Sequence, residues 1–384
     1  MGRADRGLDA AFQLEYTSMS RVWFAWLLGG LLLVPGCAGM SSEPPLTLED
    51  RTRAIKSLEQ ARARITRGNL VIAKGYLHDG MTLATRGKWL DLVADGHFML
   101  GEIWEREGNL NGAIAAYGSA LAASRQIQDR ARGVKALNAL GNLFLDVGVY
   151  DRALEASQEA LKLSTAAGDI RSKGTALNNI GEVYRFRGQH LAALEAYREA
   201  LALAKEAGNT RDAAMILTNM GVVTRSAGKM DEAQRFLNEA LQLGNTMPDP
   251  RIVMDAMNHL ASIHNDQKQY AQAIPYAKGA EQIGRQEKFL RPLAQANLNL
   301  GIAEWQSGNQ EHGRQRLTEA LRLAAQVNDR YLVAFTKLTL GKLALETGDQ
   351  STARVALEDS LRLFRELARP SEASQAEALL KGLR

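Results

Sequence analysis

The chain has 384 residues, of which 46% are hydrophobic, 23% charged and 6% aromatic, too apolar for a disordered chain and too polar for a multi-span membrane protein. Its 47 basic and 43 acidic residues leave a net charge of +4 with no Lys/Arg block, so composition carries no nucleic-acid signal. A single cysteine excludes an internal disulfide framework and a multi-cysteine metal site, and long Ala/Leu/Glu/Arg stretches with only 8 prolines point to helix.

The first element in chain order is an apolar run, residues 22–34, preceded by Arg21. It is short for a membrane span and has the length of a signal-peptide core. The run ends in Val34-Pro35-Gly36-Cys37, which resembles the bacterial lipobox, with Pro35 where that motif usually carries a small or aliphatic residue. The resemblance implies a signal peptide at 1–36, palmitate-type acylation of Cys37, and a lipoprotein of the bacterial cell envelope. Ala38 after the cysteine implies sorting to the outer membrane, facing the periplasm. Asp5, Asp9 and Glu15 are unlike a signal-peptide start, so Met19 reads as the true start and 1–18 as an over-extended gene model. The competing reading is an uncleaved signal anchor with an inert cysteine. Residues 37–53, with Ser41-Ser42-Glu43-Pro44-Pro45, read as the lipidated end and a tether.

From about residue 54 to 373 the chain repeats eight times with a period of 40. One column holds Gly101, Gly141, Gly181, Gly221, Gly301 and Gly341, with Ala61 and Ala261 in the other two units. Seven residues on stand Gly68, Gly108, Gly148, Gly188, Gly228, Gly308 and Gly348, with Lys268 as the exception. A glycine inside a helix permits a close helix–helix approach, and one that reaches φ > 0 cheaply ends a helix. Ala113, Ala153, Ala193 and Ala233, followed seven residues later by Ala120, Ala160, Ala200 and Ala240, form one stripe of a second helix. Asp129, Asp169, Asn209, Asp249 and Asp329 suit an N-cap before each first helix. Each unit is therefore a helical hairpin, with helices of roughly 14–18 residues.

This pattern resembles the tetratricopeptide repeat (TPR), most plainly over residues 176–201. The 40-residue period is similar to that of kinesin light chains and bacterial peptide-sensing regulators. The resemblance implies an all-α, right-handed superhelix of about eight hairpins. Residues 374–384 read as a capping helix, and Pro275 and Pro292 in the weak sixth unit as a kink.

The six histidines are scattered, no cluster has metal-ligand spacing, and no phosphate loop or nucleophile motif is present, so the reading is non-catalytic, with no cofactor and no metal. TPR resemblance implies a concave groove with inward slots three and six before the glycine column and one, four and five after it. Those slots hold Lys135, Asn138, Asn142, Asn178, Glu182, Arg185, Thr218, Arg225, Asn258 and Asn265, with Asn179, Asn219 and Asn299 beside them. Asn can donate to and accept from the backbone of an extended peptide, and Arg185 with Arg225 could meet a carboxylate. The alternative is that these are ordinary polar helix positions. In the last two units the slots turn apolar, with Leu298, Ile302, Trp305, Phe335, Leu338 and Leu345. This end would hold a partner's hydrophobic side chains with Trp305 as anchor, or else be covered by the C-terminal helix. The expected function is a protein–protein interaction scaffold for an envelope assembly such as a pilus, secretion or cell-wall machine, binding a protein or peptide and no nucleic acid. The runner-up is a cytoplasmic peptide-sensing regulator.

Overall fold

The structure, a computed structural model, describes residues 46–383. The expectations for the signal peptide and Cys37 therefore lie outside the described residues. Within them helix follows helix, seventeen in all, named here α1 (Leu48–Thr66), α2 (Leu70–Arg86), α3 (Leu90–Arg106), α4 (Leu110–Gln126), α5 (Arg130–Asp146), α6 (Tyr150–Ala167), α7 (Ile170–Phe186), α8 (His190–Glu206), α9 (Thr210–Ser226), α10 (Met230–Gly244), α11 (Pro250–Asp266), α12 (Tyr270–Glu287), α13 (Leu290–Gln306), α14 (Gln310–Gln326), α15 (Arg330–Glu346), α16 (Gln350–Glu366) and α17 (Pro370–Lys381). They pair into eight antiparallel hairpins, α1/α2 to α15/α16, stacked one on the next, with α17 against α16. The expected boundary at 54 falls inside α1, which starts at Leu48 with Glu49 and Asp50 favouring the positive end of the helix dipole. Likewise α17 starts at Pro370, a good first helical residue, rather than at 374.

The turns repeat every twenty residues, twice as often as the glycine column shows. Gly68, Gly108, Gly148, Gly188 and Gly228 take positive φ as expected, and so do Lys88, Gln128, Lys268, Lys288, Asn328 and Ala368. The stack imposes the left-handed conformation even where an L side chain makes it costly. The expected caps form: Asp129, Asp169, Asn209 and Asp329 each accept from the backbone N–H three residues on, at 2.9–3.2 Å. Asp249 accepts from Arg251 instead.

The small column is where paired helices cross. A Cβ on Gly181 would lie 2.5 Å from the Tyr197 ring, and one on Gly221 would lie 2.6 Å from Leu237. Gly313 interrupts the alanine stripe of the second helices because α13 and α14 approach still closer there. A Cβ at that position would meet the Trp305 backbone N at 2.8 Å and the Gly301 carbonyl at 2.9 Å. Pro275 lies inside α12, which runs on unbroken to Glu287. Pro292 sits in the first turn of α13, in the seventh unit rather than at the end of the sixth. No helix among the described residues is long and apolar enough to cross a membrane.

Candidate binding groove

Odd-numbered helices pack against one another along the stack as well as against their even-numbered partners, and among the described residues no even-numbered pair packs to the same extent. The odd helices therefore follow the shorter, inner path and line the concave face. Side chains on their inner face have two possible targets: the groove, or the neighbouring odd helix.

Most of the expected groove asparagines choose the neighbour. Asn138 on α5 donates its amide to the Ser172 carbonyl of α7 at 3.3 Å, and Asn179 on α7 donates back to the Asn138 carbonyl at 3.3 Å. The same exchange joins α11 to α13: Asn258 donates to the Pro292 carbonyl at 3.0 Å and Asn299 to the Asn258 carbonyl at 2.9 Å. Asn265 adds a bond to the Asn299 carbonyl at 3.0 Å. Between α7 and α9, Asn219 donates to the Asn178 side-chain oxygen at 3.1 Å. A helix carbonyl bonded to its own i+4 N–H keeps a second lone pair, which these amides use. Recurrent Asn here stitches successive repeats together, a role the sequence reading did not contain.

That role leaves a residue of binding capacity. Only the amide nitrogen can donate to a carbonyl, so the amide oxygen must face elsewhere. The Oδ1 atoms of Asn138, Asn258 and Asn265 are buried and have no hydrogen-bond partner among the described residues. A buried acceptor left unmet costs about 1–3 kcal/mol, and burial closes these three oxygens to the groove as well. Asn142 is exposed. With Asn178, Asn179, Thr175, Asp212 and Met215 it lines a recess of about 110 Å³ across α5, α7 and α9.

The charged slots are internally compensated. Arg185 grips Glu182 through two bonds, at 2.6 and 3.0 Å, and lies 4.0 Å from the Phe186 ring centre. The Tyr197 hydroxyl donates to the same Glu182. Arg225 bonds Asp266 of the next odd helix at 2.7 Å. Two unlike stretches result. Towards the first repeats, burial and then the Glu105 charge push the Asp146 carboxyl up, with Arg291 opposing and Glu182 adding. In the middle, burial with Arg225 and Arg185 nearby pushes His259 down to about 4. His259 occupies the slot where units four, five and seven carry Asn179, Asn219 and Asn299, and it makes no hydrogen bond among the described residues. The Glu105–Asp146–Glu182 run was not read from sequence, because its members come from different slots of three repeats.

The apolar end needs correction. Leu298, Leu338 and Trp305 are buried, with Trp305 only 3% exposed, and all three belong to the inter-helix core. The Trp305 ring packs within its hairpin and lies 5.5 Å from the Arg314 guanidinium. It is thus an architectural residue and not a partner anchor. The C-terminal helix does not reach Leu298 and Trp305, but it covers the last part of this end, where Phe335, Leu338 and Leu345 share a core with its Ala373, Ala376, Leu379 and Leu380. It extends the stack, contributing Ala373 and Ala376 to a core with Ala334, Leu338, Leu357 and Phe364. Among the described residues no cluster of His, Cys, Asp and Glu could hold a metal ion.

A stack of helical hairpins with a polar inner face defines the protein as a TPR-type α-solenoid. The model of the MalT-like TPR region matches residues 134–382, most of the repeat array, and the chain belongs to that family. Among curated protein sequences, none matches the chain. The fold is similar to the apo form of RapI, with 16% identity over 72% of this chain and 99% of that one, at a TM-score of 0.61. The Rap conjugation gene regulator of plasmid pLS20, solved in complex with the Phr* peptide, gives 14% identity over 85% and 97% of the two chains at 0.61. The apo quorum sensor NprR of B. thuringiensis gives 11% identity over 87% and 99% at 0.55.

Proposed function

We propose that this chain is a non-catalytic scaffold that holds an extended stretch of protein or peptide along the odd-numbered helices. The observation that carries the reading is the polar recess of about 110 Å³ that exposed Asn142 lines with Thr175, Asn178, Asn179, Asp212 and Met215 across α5, α7 and α9. Its amides can donate to and accept from the backbone of an extended segment. Because backbone N–H groups do not depend on side-chain identity, they favour an extended segment of loosely defined sequence. In this reading the lipobox-like ending holds the scaffold by acylated Cys37 at the periplasmic side of a bacterial envelope membrane, where it serves a pilus, secretion or cell-wall assembly.

A second reading, a peptide-sensing regulator in the cytoplasm, draws equal support from the likeness to the pLS20 regulator with its Phr* peptide and to NprR. Both readings use the same groove and differ in compartment. One experiment tests the groove and separates them. A photo-crosslinking amino acid is placed at exposed Asn142 on α5, or at exposed Glu199 on α8, and irradiated in living cells. The scaffold reading predicts envelope-protein adducts from position 142 and none from 199. Adducts with a short cytoplasmic peptide at position 142 favour the sensor. Adducts at 199 alone defeat both.

A further inference from the structure

The outer face of the first helix departs from every other repeat. Arg53, Lys56, Gln60, Arg64 and Arg67 stand at i, i+3, i+7, i+11 and i+14, one stripe running along α1 and onto the turn that follows it. The stripe lies opposite the buried face made by Ala54, Leu58, Ala61 and Ile65. Two units on, the same register positions hold Gly133, Ala136, Leu140, Phe144 and Val147, packed in the core that α5 shares with its neighbours. The face that interior repeats bury is therefore cationic in α1, with no acidic residue between 53 and 67 on it. Arg53 approaches Asp50 at 3.7 Å with its side chain 62% exposed, while Lys56, Arg64 and Arg67 make no ion pair among the described residues.

Making the end of a solenoid soluble requires only polarity, and mixed charge provides it. The other end does so, with Gln375 and Lys381 beside Glu372 and Glu377 on α17. From Arg53 to Arg67 the α1 stripe is of one sign, and Glu49, one turn before Arg53, ends it on the N-terminal side. Residues 48–86 hold eight basic and four acidic residues, an excess equal to the net charge of +4 of the whole chain. The stripe extends about 21 Å at the helical rise of 1.5 Å per residue.

We infer that this stripe docks on an anionic phospholipid surface and lays the first hairpin against it. The choice of a membrane rests on the anchor reading above, and on chain reach. The ten residues between Cys37 and Leu48 span at most about 35 Å, so an anchored chain keeps α1 within that distance of the headgroups. A surface carrying anionic lipid attracts each nearby Lys or Arg within roughly one Debye length. The acyl chain supplies attachment and the stripe supplies orientation, turning the solenoid axis away from the membrane.

The test uses the full chain carrying Cys37→Ser, so that no acyl group contributes, with and without Arg53→Gln, Lys56→Gln, Arg64→Gln and Arg67→Gln. Binding is measured to vesicles of phosphatidylcholine alone and with one-third phosphatidylglycerol. Both proteins contain the same apolar run at 22–34, so their difference reports the stripe. The parent should prefer anionic vesicles by roughly tenfold or more at low salt, and the fourfold variant should lose that preference with unchanged helical content. The pair Arg64→Gln with Arg67→Gln should lose part of it. Equal binding of parent and fourfold variant overturns the proposal. So does duplex DNA displacing the parent from anionic vesicles, which would assign the stripe to another polyanion. Palmitate incorporation into wild type tests the anchor separately: no label with an intact vesicle preference sinks the anchor and leaves the stripe standing.

Discussion

Asn258 does two jobs at once, donating to the Pro292 carbonyl while its own oxygen stays unmet. Replacing it with Leu removes both the donor and the stranded acceptor, so the net stability cost should stay within about 1 kcal/mol. Affinity for a groove ligand should stay unchanged, because burial closes the Asn258 oxygen to an incoming group. Thermal unfolding and a binding titration on the same samples check both expectations. A severalfold loss of affinity at unchanged melting temperature would contradict the assignment of Asn258 as a stitch between repeats. His259 carries the second residue-scale expectation. Its folded pKa of about 4 lies below the ordinary 6.5. Above 6.5 both folded and unfolded chains keep it neutral and no penalty arises. Between 6.5 and 4 the unfolded chain takes up a proton that the folded chain refuses, so stability falls as pH falls, by about 3 kcal/mol in total. His259→Gln should flatten that part of the urea-unfolding profile. An unaltered slope would show that the imidazole is not held neutral.

At the scale of elements, the hairpin depends on its crossing point. Gly181 sits against the Tyr197 ring, whose hydroxyl is tied to Glu182, so the ring cannot swing away without breaking that bond. Gly181→Leu should therefore destabilise the array by about 1–3 kcal/mol, while Glu199→Gln on the exposed face of α8 should change almost nothing. Equal melting curves for the two variants would contradict the register of the α7/α8 pair. This part of the fold was legible in sequence because a close crossing demands a residue without a side chain, and Gly recurs at fixed spacing. The turns between hairpins were only half legible. Gln128, Lys288 and Ala368 take the same left-handed conformation as Gly168 and Gly208, but nothing in their chemistry announces it. The inner face was legible as polar, and its asparagines were misassigned in part. Helical periodicity places a side chain on a face, but it does not choose between the groove and the next helix about 10 Å away. Trp305 was misread for the same reason, since its slot lies at the edge of the crossing that Gly301 and Gly313 draw tight.

For the whole molecule, the repeat makes one surface special by making it continuous. Odd helices bring equivalent positions into line, so charged groups from repeats two to six act on one another along the same inner face. Even helices turn outward and carry ion pairs to neighbouring repeats such as Lys205–Glu239 at 2.9 Å, which are surface interactions of small energetic value. The break in repeat register at α1 shows how an array can also assign a separate task to its end. The central claim is that ligand occupies the concave path, and amide hydrogen exchange on the full chain with and without its captured partner tests it most directly. Partner binding should slow exchange in α5, α7, α9 and α11 and leave α6, α8 and α10 unchanged. Protection confined to the even-numbered helices would contradict the account.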